Sequence, residues 1–258
     1  MEEKNRLADL IYDMNHEKAD AMCKEVVPKD TVYTRYVKRI LDICVALPLC
    51  VITLPVNAIL GVCTYFDVGR PIFFLQKRPG KDGREFTLVK FRNMRIATDE
   101  RGYDLPISQR VTKFGAFVRQ TSLDELLNFY SILKGDMSVI GPRPLAVAYE
   151  RRYNKRHKMR SAVRPGLECP NIMDIKADTE WQKRLENDIW YVENVSFLVD
   201  CKMLLMLIRM VFDKKTRRER AVKGTGDFIG YDENGVGFGA KEIPPEYRGL
   251  IGNAVAGN

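Results

Sequence analysis

From Ile43 to Phe66 the chain carries no Asp, Glu, Lys or Arg, a run longer than the about 20 residues a straight helix needs to cross a hydrocarbon core. Pro48 and Pro55 interrupt it, each removing a backbone donor and favouring a kink, and Asn57 adds a polar group just after the second. Bases flank both ends: Arg35, Lys38 and Arg39 before the run, then Arg70, Lys77, Arg78 and Lys81 after it. Length and periodicity favour a single kinked transmembrane helix. Because a basic bias marks the cytoplasmic side, the charge at both ends fits a re-entrant helix that returns to its own face.

Around this run the polar and apolar positions alternate on shorter scales. The first 34 residues carry a helical pattern with Leu7, Leu10, Ile11 and Met14 on one face, fading near Val26-Val27-Pro28. Pro71 to Leu75 and Phe86 to Arg92 read as short strands on either side of the basic turn QKRPGKDGR, a hairpin signal. Residues 95 to 112 are polar and turn-rich, the pattern of a surface loop. Helices are predicted from Thr112 to Gln120, from Ser122 to Leu133 with Lys134-Gly135 as the stop, from Val147 to Ala162, and from Trp181 to Tyr191. Phe197 to Phe212 is apolar but shorter than a span and carries Asp200, Lys202 and Arg209, so it is read as an interfacial or core helix. The run DKKTRRER that follows suits either anionic headgroups or a solvated helix end. From Gly224 onward the Gly-rich tail lacks periodicity and reads as a loose extension. The predicted class is mixed α/β, mainly helical, with short strands and no large parallel sheet. The expected division is an amphipathic extension (1–34), a membrane helix (35–67), a catalytic domain (68–222) and a C-terminal extension (223–258).

Composition narrows the chemistry. The 258 residues carry a formal net charge of +8, which calls for an anionic partner. Aromatic residues are not interleaved with the basic clusters as base-stacking platforms would be, so nucleic acid is the weaker partner. The six cysteines are scattered without a CxxC, and three lie in the apolar run, which points to a reduced compartment. Two histidines, His16 and His157, leave little from which to build a zinc site or a Ser-His-Asp triad. The charged start MEEKNRLADLIYDMNHEK does not have the pattern of a signal peptide, and the expectation is a chain that is not secreted.

The candidate chemistry lies in TSLDELLNFYSILKGDMSVIGPRP, residues Thr121 to Pro144. Thr121-x-x-Asp124 and Ser122-x-x-Glu125 both match a capping box, so one reading of the acids is purely structural. The other makes Asp124 a nucleophile toward phosphorus and Glu125 a ligand for a divalent cation. Adjacent helical residues point about 100° apart and would divide these tasks, and Mg²⁺ bridges carboxylate and phosphate oxygens while keeping several waters. The loop Gly135 to Pro144 could offer backbone amides to phosphate, with Arg143 fixed between two prolines as a planar anion ligand. Lys90, Arg92, Arg119 and Arg164 are further cations able to neutralise a phosphate.

Taken in order, Lys38-Arg39-Ile-Leu-Asp42, the Pro-broken apolar helix, Gln76-Lys-Arg-Pro-Gly80, Lys90-Phe-Arg-Asn-Met94, Ser122-Leu-Asp-Glu-Leu126, Gly135-Asp-Met-Ser-x-Ile-Gly-Pro-Arg-Pro144 and Val163-Arg-Pro-Gly166 resemble the bacterial sugar transferase family. These are monotopic polyprenyl-phosphate phosphoglycosyl transferases of the small single-domain type, and the resemblance covers about residues 36 to 212. It implies an enzyme that moves phospho-sugar from a UDP-sugar to undecaprenyl phosphate, releases UMP and starts a surface glycan. By the same resemblance Asp124 forms a covalent phospho-sugar intermediate and Asp124 and Glu125 hold Mg²⁺. Lys90, Arg119, Arg143 and Arg164 then bind substrate phosphate. The membrane helix is implied to be re-entrant, broken at Pro55, in the bacterial inner membrane with the catalytic domain facing the cytoplasm. The implied partners are the two substrates and membrane lipids, with a homo-oligomer left open. Where the family continues Arg-Pro-Gly with a Thr-Gly-Trp-Ala-Gln-like run, this chain has Leu167 to Asp174, LECPNIMD. A non-catalytic membrane-bound component of a glycan assembly complex is the alternative reading.

Overall fold

The computed structural model describes residues 2–98, 105–213 and 226–256. Helix α1 (Glu2–Ala21) is followed by the apolar helix α2 (Tyr33–Val68), whose first turn, Tyr33–Val37, is π-helical. Both Pro48 and Pro55 lie inside α2, which stays helical through them. Strands β1 (Phe73–Pro79) and β2 (Glu85–Phe91) form the expected antiparallel hairpin. Short helix α3 (Ile107–Arg110) leads to α4 (Lys113–Thr121), a 3-10 turn at Leu123–Glu125 and α5 (Asn128–Lys134). Strand β3 (Ser138–Ile140) pairs in parallel with β4 (Gly166–Glu168). Between them lies α6 (Lys155–Lys158), flanked by 3-10 turns. The chain then forms α7 (Glu180–Asn194), α8 (Phe197–Phe212), the antiparallel pair β5 (Phe228–Tyr231) and β6 (Gly237–Gly239), and α9 (Pro245–Ala256). The protein is thus mainly helical α/β, and among the described residues its strands form three two-stranded sheets.

Helix α2 is bonded to the globular body at both ends. At its start Lys38 Nζ donates to the Ile140 carbonyl at 3.0 Å and pairs with Asp200 at 2.6 Å, and Arg39 donates to the carbonyls of Ile132 and Leu133. The buried carboxylate of Asp42 accepts from Ser138 Oγ and Val139 N, both at 2.9 Å. At its end the Thr112 hydroxyl donates to Asp67, and Arg92 donates to the carbonyls of Val68 and Gly69. One nitrogen of Arg92, among the cations able to neutralise phosphate, thus serves the C-terminal carbonyls of a helix, which a cation satisfies well. Between these anchors the surface is bare and apolar: Val51, Ile52, Leu54 and Ile59 are each 60–67% exposed.

The main core joins Ala46 of α2, Phe86 and Leu88 of β2, Ile132 of α5, Val139 and Ile140 of β3, Tyr191 of α7 and Met203 of α8. Full burial of a Val, Leu, Ile, Phe or Met side chain among them contributes roughly 1.5–3 kcal/mol. Helix α8 buries Met203 while Leu198, Leu205 and Ile208 stay exposed on its other side, a core helix with an apolar outer face.

Two sequence expectations fail at the termini, and for one reason. The tail is not loose: β5, β6 and α9 pack on α1, and Leu7, Ala8, Ile11, Ile229, Phe238 and Tyr247 form one buried cluster. Asn15 ties the cap together, its amide donating to Tyr231 O and Tyr247 Oη at 2.9 Å each. The buried face of α1 is Leu7, Ala8, Ile11, Asn15 and Ala19, while Leu10 and Met14 face outward. Each terminal segment is too short to bury an apolar face alone, and together they build a core.

The helix predicted over 147–162 is broken. Tyr153 and Asn154 are extended, which puts the Tyr153 ring into a fully buried contact with Phe228, and the Asn154 side chain then caps α6 by accepting from His157 N at 2.8 Å. Of the loop expected at 95–112, the described part holds α3 and a bridge between Met94 and Val111. The basic run at 214–220 lies outside the described residues.

Candidate functional site

The acid pair stands on the 3-10 turn between α4 and α5. Thr112 caps α4 by accepting from Gly115 N at 2.8 Å. Gly115 has to be glycine, because a Cβ there would lie 2.1 Å from the Asn93 carbonyl oxygen. This close approach brings the Asn93 amide to Asp124, donating to Oδ2 at 3.2 Å. At the other end of α4, Ser122 takes a left-handed conformation (φ 56°) and turns the chain sharply into Leu123–Glu125. Leu123, Leu126 and Leu127 pack on Leu60, Phe91 and Val118, which anchors the turn to the final third of α2. Helix α5 ends at Gly135 in the left-handed conformation, the stop anticipated from the sequence.

The capping-box reading does not hold. The Ser122 side chain caps nothing, and the Thr121 hydroxyl donates back to Phe117 O and Val118 O. Both acids instead point to side-chain partners. Asp124 is 8% exposed; burial raises its pKa, the Glu125 charge raises it further, and Lys90 and Arg119 oppose. Glu125 goes the other way. Burial alone would raise it, but the charges and hydrogen bonds of Arg143 and Lys90 outweigh burial and bring it down to about 2. Lys90 Nζ reaches Glu125 Oε1 at 2.7 Å, and an Arg143 N–H donates to the same oxygen.

Arg143 follows β3, between two prolines, and its second nitrogen donates to Leu167 O at 2.9 Å. Its backbone carbonyl accepts from Arg160 at 2.8 Å, and Arg160 is paired with Asp188 at 2.7 Å with both side chains buried. The strand pair β3–β4 thus presents Arg143 while an ion pair beneath holds its backbone.

Of the residues singled out in the sequence, Asp124, Glu125, Lys90 and Arg143 come together. Arg119 is close enough for its charge to act on Asp124. Arg164 is turned elsewhere: its Nε donates to the Gly135 carbonyl at 3.1 Å, and it lines a different hollow beside the start of α2. Arg78 takes its place. With Lys90, Asn128, Arg143 and Leu167 it lines a small cavity of 30 Å³. Its guanidinium donates to the neutral amide of Gln76 at 2.6 Å, while burial, and then the neighbouring Arg143 charge, lower its pKa. The hairpin register carried this signal: Arg78 is opposite Phe86 and Lys90 opposite Phe74, so period-2 alternation puts both bases on one face. Asn93 and Asn128 were also missed, since a lone Asn in a polar segment carries no pattern.

In sum, one carboxylate oxygen gathers two cations, a third lies beside them, and a buried, less acidic carboxylate stands next in sequence. A side-chain cluster with more cationic than anionic bonding capacity suits a phosphate-bearing ligand. Mg²⁺ also fits the donor set, because such ions need one or two carboxylates with substrate phosphates and water, and both charged bonds to Glu125 fall on Oε1, leaving Oε2.

Comparison with known proteins agrees with the motifs. The bacterial sugar transferase family model matches residues 33–214. The chain is 38% identical over 174 residues to the uncharacterized sugar transferase EpsL of Bacillus subtilis, covering 67% of this chain and 86% of that protein. It is 32% identical over 191 residues to the UDP-glucose:undecaprenyl-phosphate glucose-1-phosphate transferase of Escherichia coli, covering 70% of this chain and 41% of that protein. A UDP-N-acetylgalactosamine-undecaprenyl-phosphate N-acetylgalactosaminephosphotransferase of Aeromonas hydrophila is 30% identical over 184 residues, covering 68% of this chain and 44% of that protein. The chain therefore spans most of the Bacillus relative and less than half of the two larger ones. With the acid pair, its cations and the apolar helix all inside the matched region, this chain belongs to the bacterial sugar transferase family of enzymes.

Proposed function

We propose that the protein transfers phospho-sugar from a UDP-sugar to undecaprenyl phosphate at a membrane surface, in two steps through Asp124. The convergence of Lys90 and Arg143 on Glu125, directly beside the buried Asp124, carries this reading. In the first step an Asp124 oxygen attacks the phosphorus that bears the sugar. The bond from that phosphorus to the bridging oxygen breaks, and UMP leaves with the electron pair. In the second step a phosphate oxygen of undecaprenyl phosphate attacks the same phosphorus, and Asp124 leaves as a carboxylate. The raised pKa makes Asp124 a better nucleophile than an ordinary carboxylate, and the Asn93 amide orients it.

Arg143, Lys90 and Arg78 bind and orient the diphosphate, a role in which positioning and charge neutralisation supply most of the catalysis. Asp124 and Glu125 would hold Mg²⁺, which when bound neutralises charge on the phosphate oxygens.

The anchoring of α2 supports re-entry into one leaflet. At about 1.5 Å per residue, the 36 residues of Tyr33–Val68 would span about 54 Å if straight. Both ends bond to the same globular body, and bases flank both, which suits a helix that dips in and returns on the cytoplasmic side. The dyad turn rests on this helix through Leu126 and Leu127, so the nucleophile is held near the depth of a lipid phosphate.

The reading is tested by incubating detergent-purified protein with Mg²⁺, undecaprenyl phosphate and a panel of UDP-sugars. UMP release with one donor, its loss in Asp124→Asn, and a phospho-sugar mass on the peptide containing Asp124 are the expected results. Release that survives Asp124→Asn would reject the mechanism.

A further inference from the structure

Arg164 is not used by the site above, and the hollow that it lines is unexplained. It measures 590 Å³ and lies where the chain enters α2, between the segment 28–42, the β1–β2 turn and residues 162–164. Five bases line it, Lys29, Arg35, Lys38, Lys81 and Arg164, against two acids, Asp30 and Asp42. Both acids are already committed, Asp30 to Arg35 and Asp42 to Ser138 and Val139. Lys38 is spent on Asp200. Among the described residues, Lys29, Lys81 and Arg164 have no carboxylate within ion-pairing distance.

Immediately beside this basic hollow the apolar surface begins. Val32 is 72% exposed, Tyr36 64% and Ile40 59%, and across the edge-on contact of Tyr33 with Phe197 it continues to Leu198, 70% exposed. A cationic hollow bordered on one side by exposed aliphatic and aromatic side chains matches a molecule with a phosphate head and hydrocarbon tails. We propose that this hollow seats the headgroup phosphate of an anionic membrane lipid, with Lys29, Lys81 and Arg164 as its ligands and the acyl chains lying along Tyr36 and Ile40. The proposal rests on the membrane reading of α2. It assigns this lipid a place at the N-terminal end of α2, separate from the acid pair.

The test uses the full chain reconstituted in phosphatidylcholine vesicles, with spin-labelled phosphatidylglycerol or spin-labelled phosphatidylcholine as the probe. The motionally restricted fraction reports lipid held against the protein. The wild type should prefer the anionic probe, and Lys29→Gln/Lys81→Gln should reduce that preference by about fivefold for each base removed. UMP release in the double variant should stay at the wild-type rate, and Arg151→Gln, an exposed base paired with Asp9 of α1, should leave the preference unchanged. An undiminished preference in the double variant would overturn the proposal. Loss of the preference on adding inorganic phosphate at constant ionic strength would also overturn it, by showing that the hollow takes a soluble anion. A wild type that does not remain with the vesicles would refute the membrane reading itself, a result distinct from both.

Discussion

Two groups of carboxylates lie on either side of Arg143, and they treat charge in opposite ways. On one side Glu125 gathers Lys90 and Arg143 on a single oxygen, with Arg78 beside them and Asp124 buried next door. On the other, Asp188 takes two nitrogens of Arg160 at 2.7 and 3.0 Å, and Glu186 accepts from Arg156 and meets His157 Nε2 at 3.0 Å. The second group is closed. Tyr231 Oη accepts from Asn154 N and bonds His157 Nδ1 at 2.8 Å, so a neutral imidazole with its proton on Nε2 satisfies both neighbours. Burial lowers the His157 pKa in keeping with this neutral form. The first group keeps bonding capacity in reserve. That difference separates a site from a brace: a structural ion pair satisfies its donors internally, whereas a binding site leaves cations that are satisfied when an anion arrives.

The sharpest way to break this contrast is Asp124→Asn. Turnover should fall by about 10³-fold or more, since the proposed mechanism has no substitute for its nucleophile. Thermal unfolding should move upward, because ionised Asp124 is held in an environment that disfavours its charge. A variant that lost activity and stability together would make Asp124 part of a brace. On the closed side, Asp188→Asn should cost about 3–5 kcal/mol in denaturant unfolding by leaving Arg160 buried without its counter-ion. Arg160→Met/Asp188→Leu should recover much of that loss. Activity should stay below wild type even so, because the Arg143 carbonyl loses its donor.

Acid separates the two carboxylates of the dyad. Glu125 has a folded-state pKa of about 2 against an ordinary 4.5, so its contribution is complete above pH 4.5 and is lost as pH falls toward 2. That amounts to at most about 3 kcal/mol, and Glu125→Gln should remove this part of the pH dependence. Asp124 has the opposite sign: its protonated form is favoured in the fold by burial and by the Glu125 charge, so the acid limb of the pH–rate profile should lie at higher pH than an ordinary aspartate would set. The smallest effect is expected at Arg78. Arg78→Ala should raise KM for the UDP-sugar about tenfold with kcat and unfolding nearly unchanged, as suits a cation whose partner arrives with the substrate.

The features legible in the chain are local ones. The length of the apolar helix, the hairpin around the basic turn, α4 and the stop at Gly135 follow from periodicity and turn chemistry within a few residues, whereas the helix expected from Ser122 starts only at Asn128 and leaves the acid pair on a 3-10 turn. Ordered motifs also identified the family. Tertiary structure decided what depends on distant partners. Asn15 and Tyr231 meet across 216 residues, which converts two unpromising termini into one core. Tyr153 leaves its helix because burial against Phe228 outweighs helix propensity. Arg164 and Arg78 each precede a Pro-Gly pair, yet the contacts of Arg164 turn it to the Gly135 carbonyl while the register of β1 turns Arg78 to the side of Lys90 and Arg143. A side chain's charge is written in the chain, but what that charge faces is set by packing between elements that no local pattern encodes.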